Sequence, residues 1–183
     1  FQGTPYDPYA GYGESNMRGA YRSIGINRND FMSLIQINDN RPDDIKAIQW
    51  LSFASNAFNV MVPFYADIET TPDYLSNTTG EVSTDNFYWS SRMLAAMADA
   101  SYKKSVFHIE RYQEHVLSKG HEIINRYDDM IQNEADTDKH LALKHEANQA
   151  VADMLKAATS DTLGKVLYEL SNEMKNAYSR SDA

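Results

Sequence analysis

A chain of 183 residues, 42% of them hydrophobic, can bury one substantial core and is too short for two large ones, so a single domain is expected. Its formal net charge of -9 sets the surface against phosphate backbones and anionic lipid, which argues against nucleic-acid and membrane partners. The absence of cysteine excludes a disulfide framework, a thiolate zinc site and a cysteine nucleophile from this chain, and leaves the compartment unmarked by redox chemistry.

The start, Phe1-Gln2-Gly3-Thr4-Pro5, has neither the basic nor the apolar region of a signal peptide. No window reaches the roughly 18 uninterrupted apolar residues of a membrane span. Residues 1–19 are rich in Gly, Pro, Tyr and Asp without a helix or strand period, and read as ordered loop or as an arm lying on another surface. Gly11-Tyr12-Gly13-Glu14-Ser15-Asn16 holds two glycines of a dinucleotide fingerprint, but no strand precedes it and no helix follows, so it reads as a turn. Residues 20–27 and 31–38 alternate around Arg28-Asn29-Asp30, which predicts a hairpin. Arg18, Arg22 and Arg28 cluster there; a guanidinium fork can hold a substrate carboxylate, and an ordinary surface role fits them too. Turn formers from Asp39 to Asp44 then break the pattern.

Ile48 to Ile68, IQWLSFASNAFNVMVPFYADI, is the most apolar stretch and reads as two strands joined at Ala54-Ser55-Asn56-Ala57. Phe58, Val60, Val62, Phe64 and Ala66 share one parity, while Asn59, Met61 and Tyr65 share the other, which predicts a strand with an apolar face and a polar one. Residues 20–68 thus predict about four strands in an antiparallel meander with a face or edge left bare. Asn56 and Asn59 put amide groups at the rim of an apolar sheet, where pockets are built. They are donors to a substrate or an oxyanion on one reading, and turn and strand-end residues on the other.

After a loop from Glu69 to Thr84 the character changes, and residues 85–178 read as helices. Thr84 or Asp85 is the expected cap of the first, whose stripe is Met93, Leu94, Met97 and Ala98. Tyr102, Val106, Ile109 and Val116 continue at steps of three and four, either as one long helix or as two meeting near Ser101 or Gly120. A further helix carries Leu141, Ala147, Val151 and Leu155, and a last one, capped at Ser160, carries Leu163, Val166 and Leu170. His121-Glu122-Ile123-Ile124-Asn125 begins like a zinc-protease helix, but Asn125 stands where the second histidine would be. His108 and His115, near Glu110 and Glu114, have a spacing that can hold a cation and that also suits a solvated helix face. Asp136 and Asp138 lack the glycine and the terminal glutamate of a calcium loop and read as a helix start. Asn77-Thr78-Thr79 matches a glycosylation acceptor, a pattern common by chance. No serine sits in a Gly-x-Ser-x-Gly elbow, and the histidines fall in the helical half, away from the strand ends.

Four blocks in order, GTPYDPY, RSIGINRND with FMSLIQI, IQWLSFASNAFNVMVPFYADI and NFYWSSRMLAAMADASY, resemble the C-terminal portion of bacterial dipeptidases of the cysteine N-terminal-nucleophile (Ntn) hydrolase superfamily. The resemblance covers about residues 1–130 and extends to the opening Phe-Gln-Gly-Thr-Pro-Tyr-Asp, which otherwise suggests a tag scar. It implies an α+β architecture, an antiparallel meander followed by long helices, forming part of a four-layer αββα sandwich. It also implies a dipeptide substrate and an N-terminal cysteine nucleophile whose own α-amino group is the base. This chain has no cysteine, so it is expected to be a fragment whose N-terminal partner segment carries the nucleophile. Residues 1–183 would then be the C-terminal part of one domain with no catalytic residue, no metal and no cofactor of its own, cytoplasmic or alternatively exported, and a possible homo-oligomer. By the resemblance, Asn59 and Asn56 are the first candidates for the substrate pocket, with Arg22 and Asp7 behind them. A non-catalytic helical scaffold and a metal-dependent protein using the helical histidines are the competing readings.

Overall fold

The structure, a computed structural model, describes residues 29–55, 57–76 and 78–174. Three strands, β1 (Phe31–Ile37), β2 (Ala47–Phe53) and β3 (Val62–Tyr65), form one antiparallel sheet in the order β1-β2-β3. Three helices follow: α1 (Phe87–Ala100), α2 (Tyr102–Asn133) and α3 (His140–Asn172), the last entered through a 3-10 turn at Thr137–Lys139. The fold is therefore α+β, a sheet meander and then long helices, as expected. The expected first strand at residues 20–27 lies outside the described residues.

The register pairs Phe31 with Phe53, Leu34 with Trp50 and Ile37 with Ala47 across β1 and β2, and Ile48 with Tyr65 and Trp50 with Pro63 across β2 and β3. Partners directly opposite share a face, so Ile48, Trp50, Pro63 and Tyr65 point together toward α2. There Trp50 lies 4.8 Å from the His121 ring. On the opposite face Phe53 meets Phe31 and Phe87, each at 5.6 Å, but Ile35 and Ile37 stay 68% and 64% exposed.

All four residues of β3 are buried, which corrects the expectation of an apolar face and a polar one. The strand is also shorter than expected, because residues 54–61 form a loop and only Val62–Tyr65 pair with β2. One edge of β3 meets β2. On the other, Asn148 of α3 takes the place of a strand: its Nδ2 donates to Tyr65 O and its Oδ1 accepts from Tyr65 N, both at 2.9 Å. That pairing satisfies backbone groups that are costly to bury alone.

The helices differ from expectation at their ends. Asn86, rather than Thr84 or Asp85, caps α1, its side chain accepting from Trp89 N at 2.9 Å. The chain breaks at Ser101 and runs unbroken through Gly120. Likewise α3 runs through Ser160 with no cap, because the nearby Thr159 and Thr162 hydroxyls donate to the carbonyls of Leu155 and Ala158, at 2.7 and 2.8 Å. Those polar side chains are satisfied inside the helix and need not end it. Asp136 does cap the short turn that opens into α3, as expected.

Lys104 meets Glu173, His108 meets Glu169 and Tyr112 meets Thr159, so early positions of α2 face late positions of α3 and the two helices are antiparallel. Their buried stripe includes Ile109, Tyr112, Val116, Ile124 and Ile131 on α2, and Ala147, Val151, Leu155 and Val166 on α3. No described helix is long and apolar enough to cross a membrane.

Candidate functional site

Asn59 lies in the loop between β2 and β3 and is 5% exposed. Its side-chain oxygen accepts from Val60 N at 2.8 Å and from Ser91 Oγ of α1 at 3.3 Å. Its Nδ2 is buried with no hydrogen-bond partner among the described residues. Turning the amide over would aim Nδ2 at the Val60 N–H, donor against donor, so the orientation is set by its neighbours. The main-chain oxygen of Asn59 accepts from Gln113 Nε2 of α2 at 2.8 Å, and the same nitrogen lies 3.4 Å from Ala57 O. Thus α1 and α2 each hold one end of this residue.

The loop leaves β2 through Ala54, a buried non-glycine residue at φ 66°. Left-handed backbone costs an L-residue about 1 kcal/mol or more, and such strain gathers where a loop must hold one shape. The Ala54 N–H is tied to Asp30 O at 2.9 Å. The other expected site residues, Asn56, Arg22 and Asp7, lie outside the described residues.

Tyr65, expected beside Asn59 on one strand face, is instead fully buried at the far end of β3. Its hydroxyl donates to Asp128 Oδ1 at 2.5 Å, and Asp128 pairs with Arg41 from the β1–β2 loop. Arg41 also donates to Asn125 Oδ1 at 3.0 Å. Burial pushes the Tyr65 hydroxyl well above its ordinary pKa, against the opposing pull of Arg41. A small cavity of about 50 Å³, with Trp50 and His121 in its lining, adjoins this cluster. Its charges are mutually paired, so it ties the loop to α2.

A larger groove of about 460 Å³ between α2 and α3 is lined by His108, Arg111, His115, Asp161 and Lys165. Lys165 is held by Asp161 at 2.6 Å and His108 faces Glu169 at 3.5 Å. Among the described residues no three His, Asp or Glu side chains gather as a metal site would require. The other histidines are placed by packing: His121 against Trp50, His145 beside Thr70, and His140 between Asp44 and Glu134 O.

Ser91 and Gln113 are parts of the Asn59 site that sequence reasoning passes over. A polar residue on or beside a helix's buried stripe is the available signal, and Ser91 is 4% exposed next to Leu94 and Ala95 on that stripe.

The sequence model described as Peptidase family C69 matches residues 1–115. A dipeptidase of Bifidobacterium longum is 36% identical across the whole of this chain, which spans 41% of that relative. A probable dipeptidase A of Streptococcus pyogenes serotype M3 is 38% identical, again across the whole chain and 38% of the relative. A probable dipeptidase B of Lactococcus lactis is 33% identical, with the same coverage. The chain therefore spans about two fifths of the length of these curated relatives, and it belongs to peptidase family C69.

Proposed function

We propose that this chain is the C-terminal part of a dipeptidase and that Asn59 supplies a hydrogen-bond donor to the substrate carbonyl. The nucleophile comes from the preceding part of the protein, an N-terminal cysteine whose α-amino group takes the thiol proton. Sulfur adds to the peptide carbonyl, the carbonyl oxygen becomes an oxyanion, and collapse breaks the C–N bond as the α-ammonium returns its proton to the departing amine, leaving an acyl-enzyme for water to hydrolyse. The charge that develops on that oxygen is what a preorganised amide donor stabilises.

The observation that carries this reading is the Asn59 amide. Its oxygen is used twice and its nitrogen is buried without a partner among the described residues. Buried donors are nearly always paired, and leaving one unpaired costs about 1 to 3 kcal/mol. A substrate oxygen would satisfy it. That the relatives are named dipeptidases supports a dipeptide as the substrate class. The exposed Ile35 and Ile37 support a second sheet packing on this one in an αββα sandwich, since such apolar surface is unfavourable in water.

In the full-length enzyme, Asn59→Ala is expected to lower kcat/KM by roughly ten- to a thousandfold, the range for losing one positioned donor. Stability should also fall, by about 1 to 3 kcal/mol, because the lost Oδ1 leaves the buried Val60 N–H and Ser91 hydroxyl without their acceptor, so activity is compared per folded molecule. Normal turnover per folded molecule in a destabilised protein would remove Asn59 from the site. Residues 1–183 alone should be inert toward a dipeptide panel, and activity that survives repurification and thiol-blocking reagents would contradict the cysteine mechanism.

A further inference from the structure

We infer that Gln113 and Ser91 are positioning residues for the Asn59 amide, an inference that rests on the reading of Asn59 just given. The loop at residues 54–61 has no strand ladder of its own; among the described residues its internal backbone bond is Phe58 N to Ser55 O at 3.2 Å. Such a loop does not hold a donor to the few tenths of an ångström that transition-state stabilisation needs. The helices do so instead. Gln113 Nε2 reaches the carbonyls of Ala57 and Asn59, one on each side of Phe58, at 3.4 and 2.8 Å. It fixes the main chain from which the Asn59 side chain leaves.

Ser91 acts at the other end. Its hydroxyl donates to Asn59 Oδ1 at 3.3 Å, beside the Val60 N–H at 2.8 Å. Two donors on the amide oxygen draw electron density toward it and make the N–H bonds of Nδ2 stronger donors. The platform beneath is rigid. Tyr112, next to Gln113, is buried and bonds Thr159 of α3 at 2.7 Å, while Ser91 lies on the buried stripe of α1 with Leu94 and Ala98. Both contacts therefore aim a donor that neither Gln113 nor Ser91 could replace, since each spends its own hydrogen on Asn59 or Ala57.

The test is a set of variants in the full-length dipeptidase: Gln113→Met, Gln113→Lys, Ser91→Ala, Ser91→Thr, Asn59→Ala and the doubles with Asn59→Ala. Each is assayed for kcat, KM and melting temperature. Gln113→Met should lower kcat about tenfold and Ser91→Ala a few-fold, with KM within about twofold, as expected when an interaction made only in the transition state is weakened. Gln113→Lys and Ser91→Thr, which keep a donor, should recover most of kcat. On the Asn59→Ala background neither Gln113→Met nor Ser91→Ala should lower kcat further.

Losses that multiply in the doubles would overturn the inference, because the residues would then act independently of Asn59. So would a fall in melting temperature with kcat per folded molecule unchanged, the mark of a merely structural role. If Gln113→Met does not fold, the Gln113→Lys, Ser91→Ala and Ser91→Thr comparisons decide the question alone. Full activity in Asn59→Ala would instead sink the reading of Asn59 itself, whereas loss there with normal kcat in Gln113→Met and Ser91→Ala would sink only the positioning.

Discussion

Gly120 and Gly164 both lie inside long helices, α2 and α3, yet they are there on different terms. A Cβ at Gly120 would lie 2.7 Å from Pro63 Cδ and 3.1 Å from Pro63 Cγ, while one at Gly164 would meet nothing within 4 Å. The proline ring is rigid and sits on a fully buried strand, so it cannot step aside cheaply. Gly120→Ala should destabilise the protein by about 1 to 2 kcal/mol, overpacking outweighing the gain in helix propensity. Gly164→Ala should stabilise by up to about 1 kcal/mol, because only the propensity acts there. Urea midpoints of the two variants check both signs, and a stabilising Gly120→Ala would show that α2 and β3 separate easily.

Elements are held together here by side chains that stand in for backbone. Asn148 closes the free edge of β3, so Asn148→Ala strands the N–H and C=O of Tyr65 in a buried setting. A loss of about 2 to 4 kcal/mol is expected in chemical denaturation, one unsatisfied group at each end of the lost amide. The β1–β2 loop is tied down by His140, whose Nδ1 lies 2.7 Å from Asp44 Oδ2 and whose Nε2 lies 3.0 Å from Glu134 O. Both partners accept, so the doubly protonated ring fits best. The Glu134 carbonyl and then the Asp44 carboxylate raise the His140 pKa above its ordinary value, against nearby Lys144. A raised folded pKa means that this contribution to stability is fully present below the unfolded value of about 6.5 and is lost as pH rises through the folded one. Stability measured across that window should therefore fall less steeply with pH in His140→Gln than in the parent protein. An NMR titration placing His140 at or below the ordinary value would contradict the arrangement.

At the scale of the molecule, one sheet face is covered by α2 and the other is only partly closed by α1. Ile35 and Ile37 lie on that second face, and Phe31 and Leu34 of the same strand are also more than half exposed. Among the described residues β1 pairs only with β2. If the remaining three fifths of a dipeptidase pack there, a thiol placed at Ile35→Cys should be modified quickly in residues 1–183 alone and much more slowly in the full-length protein. Equal rates, read by mass spectrometry of the labelled peptide, would count against the sandwich.

The order of elements could be read along the chain because each has a local cause. Alternation marks β1 and β2, the steps of three and four mark all of α2, and the acidic turn before α3 is marked by Asp136. Four quoted blocks likewise sufficed for the dipeptidase resemblance. What local pattern could not settle were choices made by partners distant in sequence. Asn59 and Tyr65 have the same parity, but β3 begins only at Val62, so one was left in a loop between Ser91 and Gln113 while the other was buried against Asp128. Ser160 resembles a helix cap, yet α3 packs along the whole of α2 and the burial it gains there outweighs a weak stop signal. Gly120 looks like a break until Pro63 is seen against it. Sequence determined which segments would be strand and helix, because hydrophobic period acts within a few residues; tertiary structure alone decided which polar side chains would be aimed, because a buried amide takes its direction from donors and acceptors supplied by other elements.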